Sequence, residues 1–521
     1  MEVQLIAVAS YAAMVLAAAP VLAVETVTVR TNTPLAAGAG GGAADTRYTG
    51  FLHSLTPALP GPAHFESLKP AAFRTGVLTN INNGVVTGDF ATYARVRAAG
   101  ATFEYVMSDA VYVKPPDQID WPGGPTDLNY AKWDALLDSK IAAAKAAAQA
   151  AGDAAYVGRW DIWNEPDFSV GPGQYFWPDQ TAAGAGKFFE TWRRAHAKVR
   201  AQLPGVQIVG PSLGVLNGLS GELDTYPNTG KHITMNAFLD YAKANSVLPD
   251  VLTLHAFDKD VVAGRLGGTK ALLTAKGITG VALGVNEYVG HHEQTRPGVL
   301  PHYFAAMRAS GAVYGVHATW PDANPGTPTN VNNTYNDSLN GLLTDDTKQP
   351  RSTWWAYKRY GEMTGQMVQV DAGATITGVA SVDAANDTAT ILLGRDYEDY
   401  GWMLTPPAGA PAAVVLQLNG IVASMGIAAG TPLTVELQRI ADSGYAAYAA
   451  GGPTSVFVPL VVGSGSLSVP LADFGWTDAY FIRVAANAAA VPEPAMSAAF
   501  GLAAGALLMR RKRWPSSSGS S

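Results

Sequence analysis

The sequence predicts an α/β protein, a (β/α)₈ TIM barrel followed by a β-sandwich domain. Three observations carry this. From Thr46 to about Tyr360, short apolar runs alternate with helical stretches, as strands and helices do when they take turns along a chain. The runs number eight, and a stretch of about 310 residues accommodates a barrel that typically needs about 250. Beyond Tyr360 the helical spacing gives way to alternating runs broken by Gly, Pro, Asn and Asp, the signature of many short strands. A doubly wound open sheet is the competing arrangement. It wants a Gly-rich phosphate turn after an early strand, and the sequence has none.

Composition narrows the classes. The chain has 521 residues, of which 48 % are hydrophobic and 15 % charged, so it is long and apolar enough to build cores and is not globally disordered. The net charge of −7, with Lys and Arg scattered through the body, argues against a nucleic-acid footprint, which needs a basic face. Cysteine is absent, which excludes disulfides, zinc–thiolate sites and a cysteine nucleophile.

Taken in order, residues 1–23 are almost wholly apolar and end in Val21-Leu22-Ala23, which suits signal-peptidase cleavage, although Glu2 stands where a basic residue is expected. Residues 24–46, Gly/Ala-rich over 36–46, read as a flexible lead-in. The barrel is expected over 47–362. Its strand candidates are Tyr48–Leu55, Phe73–Ile81, Thr102–Ser108, Arg159–Asn164, Gln207–Pro211, Val251–Phe257, Val281–Tyr288 and Ala312–Trp320. Helices are expected at Phe90–Ala99, Leu128–Ala151, Phe188–Gln202, Met235–Asn245, His302–Ser310 and, heavy with aromatics, at 353–360. The β-sandwich is expected over 363–488. Last, Val491-Pro492-Glu493-Pro494 leads into an apolar run from Ala495 to Met509 and then Arg510-Arg511-Lys512-Arg513. That run is short for a bilayer span of about 20 residues, and the basic cluster marks a cytoplasmic side. The order over 491–513 resembles the PEP-CTERM sorting signal of Gram-negative bacteria; an ordinary C-terminal anchor is the simpler alternative. The resemblance implies export to the cell surface, outer membrane or extracellular matrix. It also implies an exosortase-like processing enzyme as a partner and transient or permanent membrane contact through 495–509.

In a (β/α)₈ barrel the functional groups stand at the C-terminal ends of the strands. The fourth strand delivers Asn164 and Glu165 before Pro166, which cannot extend a ladder. A carboxyl there, walled by Trp160 and Trp163, is poorly solvated and has its pKa raised, as a general acid requires. The seventh strand gives a second carboxylate, Glu287, with Tyr288 beside it. Two carboxylates facing each other across the mouth suit cleavage of a glycosidic bond. Other strand ends carry groups that bind sugars: His53 on the first, His255 and Phe257 on the sixth, His317 and Trp320 on the eighth. Arg74 on the second strand is able to hold a nucleophile ionised, provided alternation turns it toward the mouth. No metal or organic cofactor is expected. His291-His292-Glu293 lacks metal-ligand spacing and reads as a solvated loop, and a GxSxG elbow is missing.

Trp163-Asn164-Glu165-Pro166 and Asn286-Glu287-Tyr288, taken with the Gly50–Leu55 opening and the aromatic helix before a β-domain, resemble the retaining glycoside hydrolases of clan A. Family 39, the xylosidase and iduronidase type, is the most similar. The resemblance implies that Glu165 is the acid/base and Glu287 the nucleophile of a double displacement. It further implies that Asn164 bonds the sugar 2-hydroxyl and that His255 stands near the nucleophile. The loops at 212–231 and 321–341 depart from the family pattern. Two readings from other classes remain beside this one: a carbohydrate-binding barrel of weak activity, and a structural protein displayed at the surface.

Overall fold

The structure is a computed structural model that describes residues 24–35, 42–76, 78–79, 86–87, 89–112, 130–167, 182–214, 232–290, 293–318, 337–344, 346–397, 412–463 and 465–486. The expected signal segment, the sorting segment, Trp320 and the His291-His292 pair lie outside the described residues.

Eight parallel strands close into a barrel: Gly50–Leu52, Ala72–Thr75, Thr102–Val106, Arg159–Asp161, Gln207–Leu213, Val251–Ala256, Ala282–Tyr288 and Gly315–His317. Each pairs with its neighbours in chain order, and the eighth returns to the first through Val316↔Gly50. Helices form the outer layer. Tyr130–Ala150 shows why: its Ala-rich sequence favours a helix, and Trp133, Leu137, Ile141, Ala144 and Ala148 fall on one buried stripe. Two irregularities bear on the site. The ladder between the sixth and seventh strands slips between Val285 and Glu287, and that between the fifth and sixth slips between Pro211 and Leu213. Such bulges insert an extra residue and re-aim side chains.

The second domain is one nine-stranded sheet that curls over its own core, in the manner of a sandwich, with Val27, Val29, Leu393, Leu416, Val435 and Ile482 buried together. It corrects the reading of 24–46 as a flexible lead-in over its first part, while residues 36–41 lie outside the described residues. Glu25–Pro34 is a full strand of this sheet, antiparallel to Gln366–Asp371 and parallel to Ala412–Asn419. Its alternate residues Val27, Val29 and Thr31 are buried, and that burial holds it. The sheet packs on the last two barrel helices, Val299–Ala309 and Ser352–Tyr360. His302 Nε2 lies 3.2 Å from the carbonyl of Gly394 there, and the Arg359 guanidinium stacks 5.3 Å from the Phe481 ring.

Candidate active site

The site begins with Arg74. On the second strand it points into the barrel, is 1 % exposed, and spends its donors on four groups. Nη1 donates to Glu287 Oε1 at 2.5 Å, and Nη2 to Asp161 Oδ2 and Asn164 Oδ1, each at 2.7 Å. Nε lies 3.1 Å from Glu104 Oε1. One planar guanidinium thus serves three buried carboxylates, a task that its fork of donors suits.

Below the rim a polar network braces these carboxylates. Asn286 Nδ2 donates to Asp161 Oδ2 at 3.0 Å and to Ser212 Oγ at 2.8 Å; Ser212 Oγ in turn donates to Asp161 Oδ2 at 2.9 Å. Regular alternation would send one of the adjacent residues Asn286 and Glu287 outward. The slip at this point in the seventh strand lets both face inward.

Glu165 sits past the end of the fourth strand with φ of 48°, its N–H donating to the carbonyl of Ser212 at 3.0 Å. Its Oε1 is 2.9 Å from His255 Nδ1, which is also 3.7 Å from Glu287 Oε2. One donor atom from each of Glu165, His255 and Glu287 lies within 4.8 Å of the others. Burial pushes the Glu165 carboxyl up to about 7, against the pull of Arg74. Burial also raises Glu287, opposed by His255 and Arg74. It pushes His255 down to about 3, so the ring is neutral near pH 7. The three side chains are chemically able to hold a divalent cation, but it would enter against the guanidinium already bonded to Glu287.

Asn164 has its amide oxygen on Arg74, which turns the NH₂ to the opposite side, and its backbone N–H donates to Ser108 Oγ at 3.0 Å. His53 is buried beside Arg74 with Nδ1 3.3 Å from Thr75 Oγ1. Phe257, partly exposed, meets the His255 ring edge-on at 5.5 Å.

Other expected residues are not brought to this cluster. Tyr288 faces the other way: its hydroxyl donates to the carbonyl of Tyr48 at 2.6 Å and pairs with Tyr357 Oη at 2.7 Å, between barrel and helix. His317 belongs to the same outer seam, Nδ1 at 3.1 Å from Tyr357 Oη and Nε2 at 3.2 Å from the Asn340 carbonyl. Trp160 and Trp163 do not wall Glu165. Trp160 packs on Tyr105 at 4.9 Å and Trp163 on Trp133 at 5.9 Å, both in the layer against the helices. The fourth strand ends at Asp161, short of Pro166. Glu293 is buried rather than solvated, accepting from Tyr303 Oη at 2.5 Å and Gly290 N–H at 3.0 Å. The sequence reading passes over Glu104, Asp161, Ser212 and Asn286. A signal existed for two of them, since Phe103-Glu104-Tyr105 and Trp160-Asp161-Ile162 each set a carboxylate between large apolar residues, where alternation points it inward.

The fold is shared with solved glycosidases. A glucosidase from Croceicoccus marinus aligns over 89 % of this chain and 99 % of its own, at 15 % identity and a TM-score of 0.59. A monomeric β-xylosidase from Caulobacter crescentus aligns over 88 % and 99 %, at 13 % identity and a TM-score of 0.58. A protein from Neocallimastix frontalis aligns over 89 % and 100 %, at 20 % identity and a TM-score of 0.65. In sequence, the chain is 25 % identical over 221 residues to a 3-O-beta-L-arabinopyranosyl-alpha-L-arabinofuranosidase of Bifidobacterium pseudocatenulatum. That stretch covers 40 % of this chain and only 20 % of that protein. No family model matches the chain.

Proposed function

We propose that this protein is an exported glycoside hydrolase that cleaves O-glycosidic bonds of poly- or oligosaccharides with net retention. Glu287, ionised beside Arg74, attacks the anomeric carbon while Glu165 gives its proton to the departing oxygen. The resulting glycosyl ester on Glu287 is then opened by a water that Glu165, now ionised, deprotonates. The observation that carries this reading is the close approach of the two carboxyls, one oxygen of Glu165 lying within 4.8 Å of one oxygen of Glu287, a nearest-atom approach that favours the shorter of two known carboxyl spacings. Retaining enzymes hold their carboxyl groups at about 5–5.5 Å, whereas inverting ones leave about 6.5–9.5 Å for a water. The raised pKa of Glu165 supports the acid role, and the guanidinium on Glu287 supports the nucleophile. The likeness of the solved glycosidases in fold and of the arabinofuranosidase in sequence supports a carbohydrate substrate.

Separate Glu165→Gln and Glu287→Gln variants, assayed on aryl xyloside, glucoside, galactoside, arabinoside and glucuronide, test the reading. The expected outcome is hydrolysis of at least one phenyl glycoside by the parent, its loss in both variants, and a first-formed product of unchanged anomeric configuration by NMR. Hydrolysis by both variants at the parent rate removes the catalytic assignment, and a silent parent that still binds glycans returns the binding-only reading. Family 39 membership, cleavage after Ala23 and sorting through 491–513 belong to the same proposal. Terminal mass spectrometry of the secreted protein tests the last two.

A further inference from the structure

We propose that Gly214 and Asp167 are positioning residues that fix the carboxyl of Glu165, an inference that rests on the reading of Glu165 as the acid/base. Gly214 stands just past the end of the fifth barrel strand. A Cβ built there would lie 2.5 Å from Glu165 Oε1 and 2.8 Å from its Cδ and Cγ. The carboxyl therefore lies flat on a bare Cα, in a space that any side chain would fill. The glycine is itself held, its N–H donating to Asp167 Oδ1 at 2.9 Å. Two residues back, the N–H of Glu165 donates to the Ser212 carbonyl. These two bonds stitch the rims of the fourth and fifth strands together on either side of the carboxyl.

The consequence concerns which oxygen works. Oε1 is wedged between Gly214 and His255 Nδ1, 2.9 Å away. Oε2 is left to carry the proton to the leaving group. Glu165 has a left-handed backbone, φ 48°, which a residue with a side chain adopts only when its surroundings hold it there. The slot supplies that hold. A methyl group at position 214 meets the flexible end of Glu165 and not backbone, so it moves the carboxyl and leaves the fold in place.

Leaving-group dependence tests this. A dinitrophenyl glycoside departs without a proton, whereas a phenyl or methyl glycoside needs one. In Gly214→Ala, kcat/KM on the phenyl glycoside should fall by about 30-fold or more and on the dinitrophenyl glycoside by less than about threefold, within the range that acid catalysis supplies. Asp167→Ala should show the same selectivity, and it replaces Gly214→Ala should thermal melts show the latter unfolded. Placing Gly214→Ala in a Glu165→Asp background, where the shorter side chain leaves room for the methyl, should cost less than in the parent. Equal losses on both substrates, or none in either variant, overturn the proposal. If Glu165→Gln itself shows no leaving-group selectivity, the acid/base reading fails. If it does while Gly214→Ala and Asp167→Ala do not, only the positioning roles fall.

Discussion

Arg74 Nη1 donates to Glu287 Oε1 at 2.5 Å while Nη2 of the same guanidinium holds Asp161 at 2.7 Å. The charge that favours the ionised form of Glu287 is thereby shared with Asp161 in the barrel interior. Arg74→Lys places a single ammonium where a fork stood, so one buried carboxylate loses its partner. Breaking a buried pair costs about 3–5 kcal/mol, and kcat/KM should fall by about 100-fold or more through loss of charge stabilisation. A single ammonium shared among the carboxylates holds Glu287 less firmly than the Nη1 contact does, so Glu287 titrates higher and the acid limb of the pH profile should move upward. Calorimetry and a pH series on an aryl glycoside check both.

Glu165, pushed up to about 7, gives a second prediction. The reaction needs it protonated and Glu287 ionised. The rate should therefore fall on the alkaline side near pH 7, and on the acid side above the ordinary glutamate range, because burial raises Glu287 as well. Stability follows from the same shift. The folded state holds this proton more tightly than the unfolded chain, so the contribution is full below an ordinary value of 4.5 and is lost as pH rises through about 7. The loss is on the order of 3 kcal/mol. Glu165→Gln never ionises, so its melting temperature relative to the parent should climb between about pH 5 and about pH 8.

Tyr288 carries a third prediction, because its hydroxyl ties the barrel to the helix Ser352–Tyr360 rather than lining the cleft. Tyr288→Phe leaves the Tyr48 carbonyl without this donor. It should cost about 1–2 kcal/mol of stability, with kcat/KM on an aryl glycoside within about twofold of the parent. A change confined to KM would place the hydroxyl on the substrate instead.

Tyr288 also marks where the sequence stops being legible. The eight strands read as apolar runs because both of their faces are covered, and Glu165 and Glu287 stand out because each follows such a run. Alternation then fails at the seventh strand, where the slip turns Asn286 inward beside Glu287 and leaves Tyr288 outside. A bulge depends on the partner strand's register, which one strand's sequence does not contain. The strand Glu25–Pro34 did alternate, with Val27, Val29 and Thr31 buried, but its partners lie more than three hundred residues away. The helix Val262–Ala275 is not legible in the sequence because Gly264, Gly267 and Gly268 interrupt it, each lowering local helix preference that tertiary packing of Val262, Leu266 and Leu273 restores.

The last prediction concerns the crossing of the two domains at Gly298. Its N–H donates to the Thr477 carbonyl at 2.7 Å, and a Cβ would come 2.4 Å from the Arg395 carbonyl and 2.5 Å from that of Asp478. From the other side, a Cβ on Gly394 would meet the Gly298 carbonyl. Every obstacle is backbone, so no rotamer change relieves Gly298→Ala, and the sheet must withdraw from the barrel. Overpacking of this kind costs about 1–3 kcal/mol. The larger effect should be on cooperativity, since the helix Val299–Ala309 starts at this crossing and supports the sheet. Calorimetry should show the parent's unfolding split into two transitions in Gly298→Ala. The kcat should fall as well, because the segment from Glu287 through buried Glu293 ends at this glycine. A single transition at the parent's midpoint would mean that the crossing absorbs the methyl group and the sheet stays on the barrel.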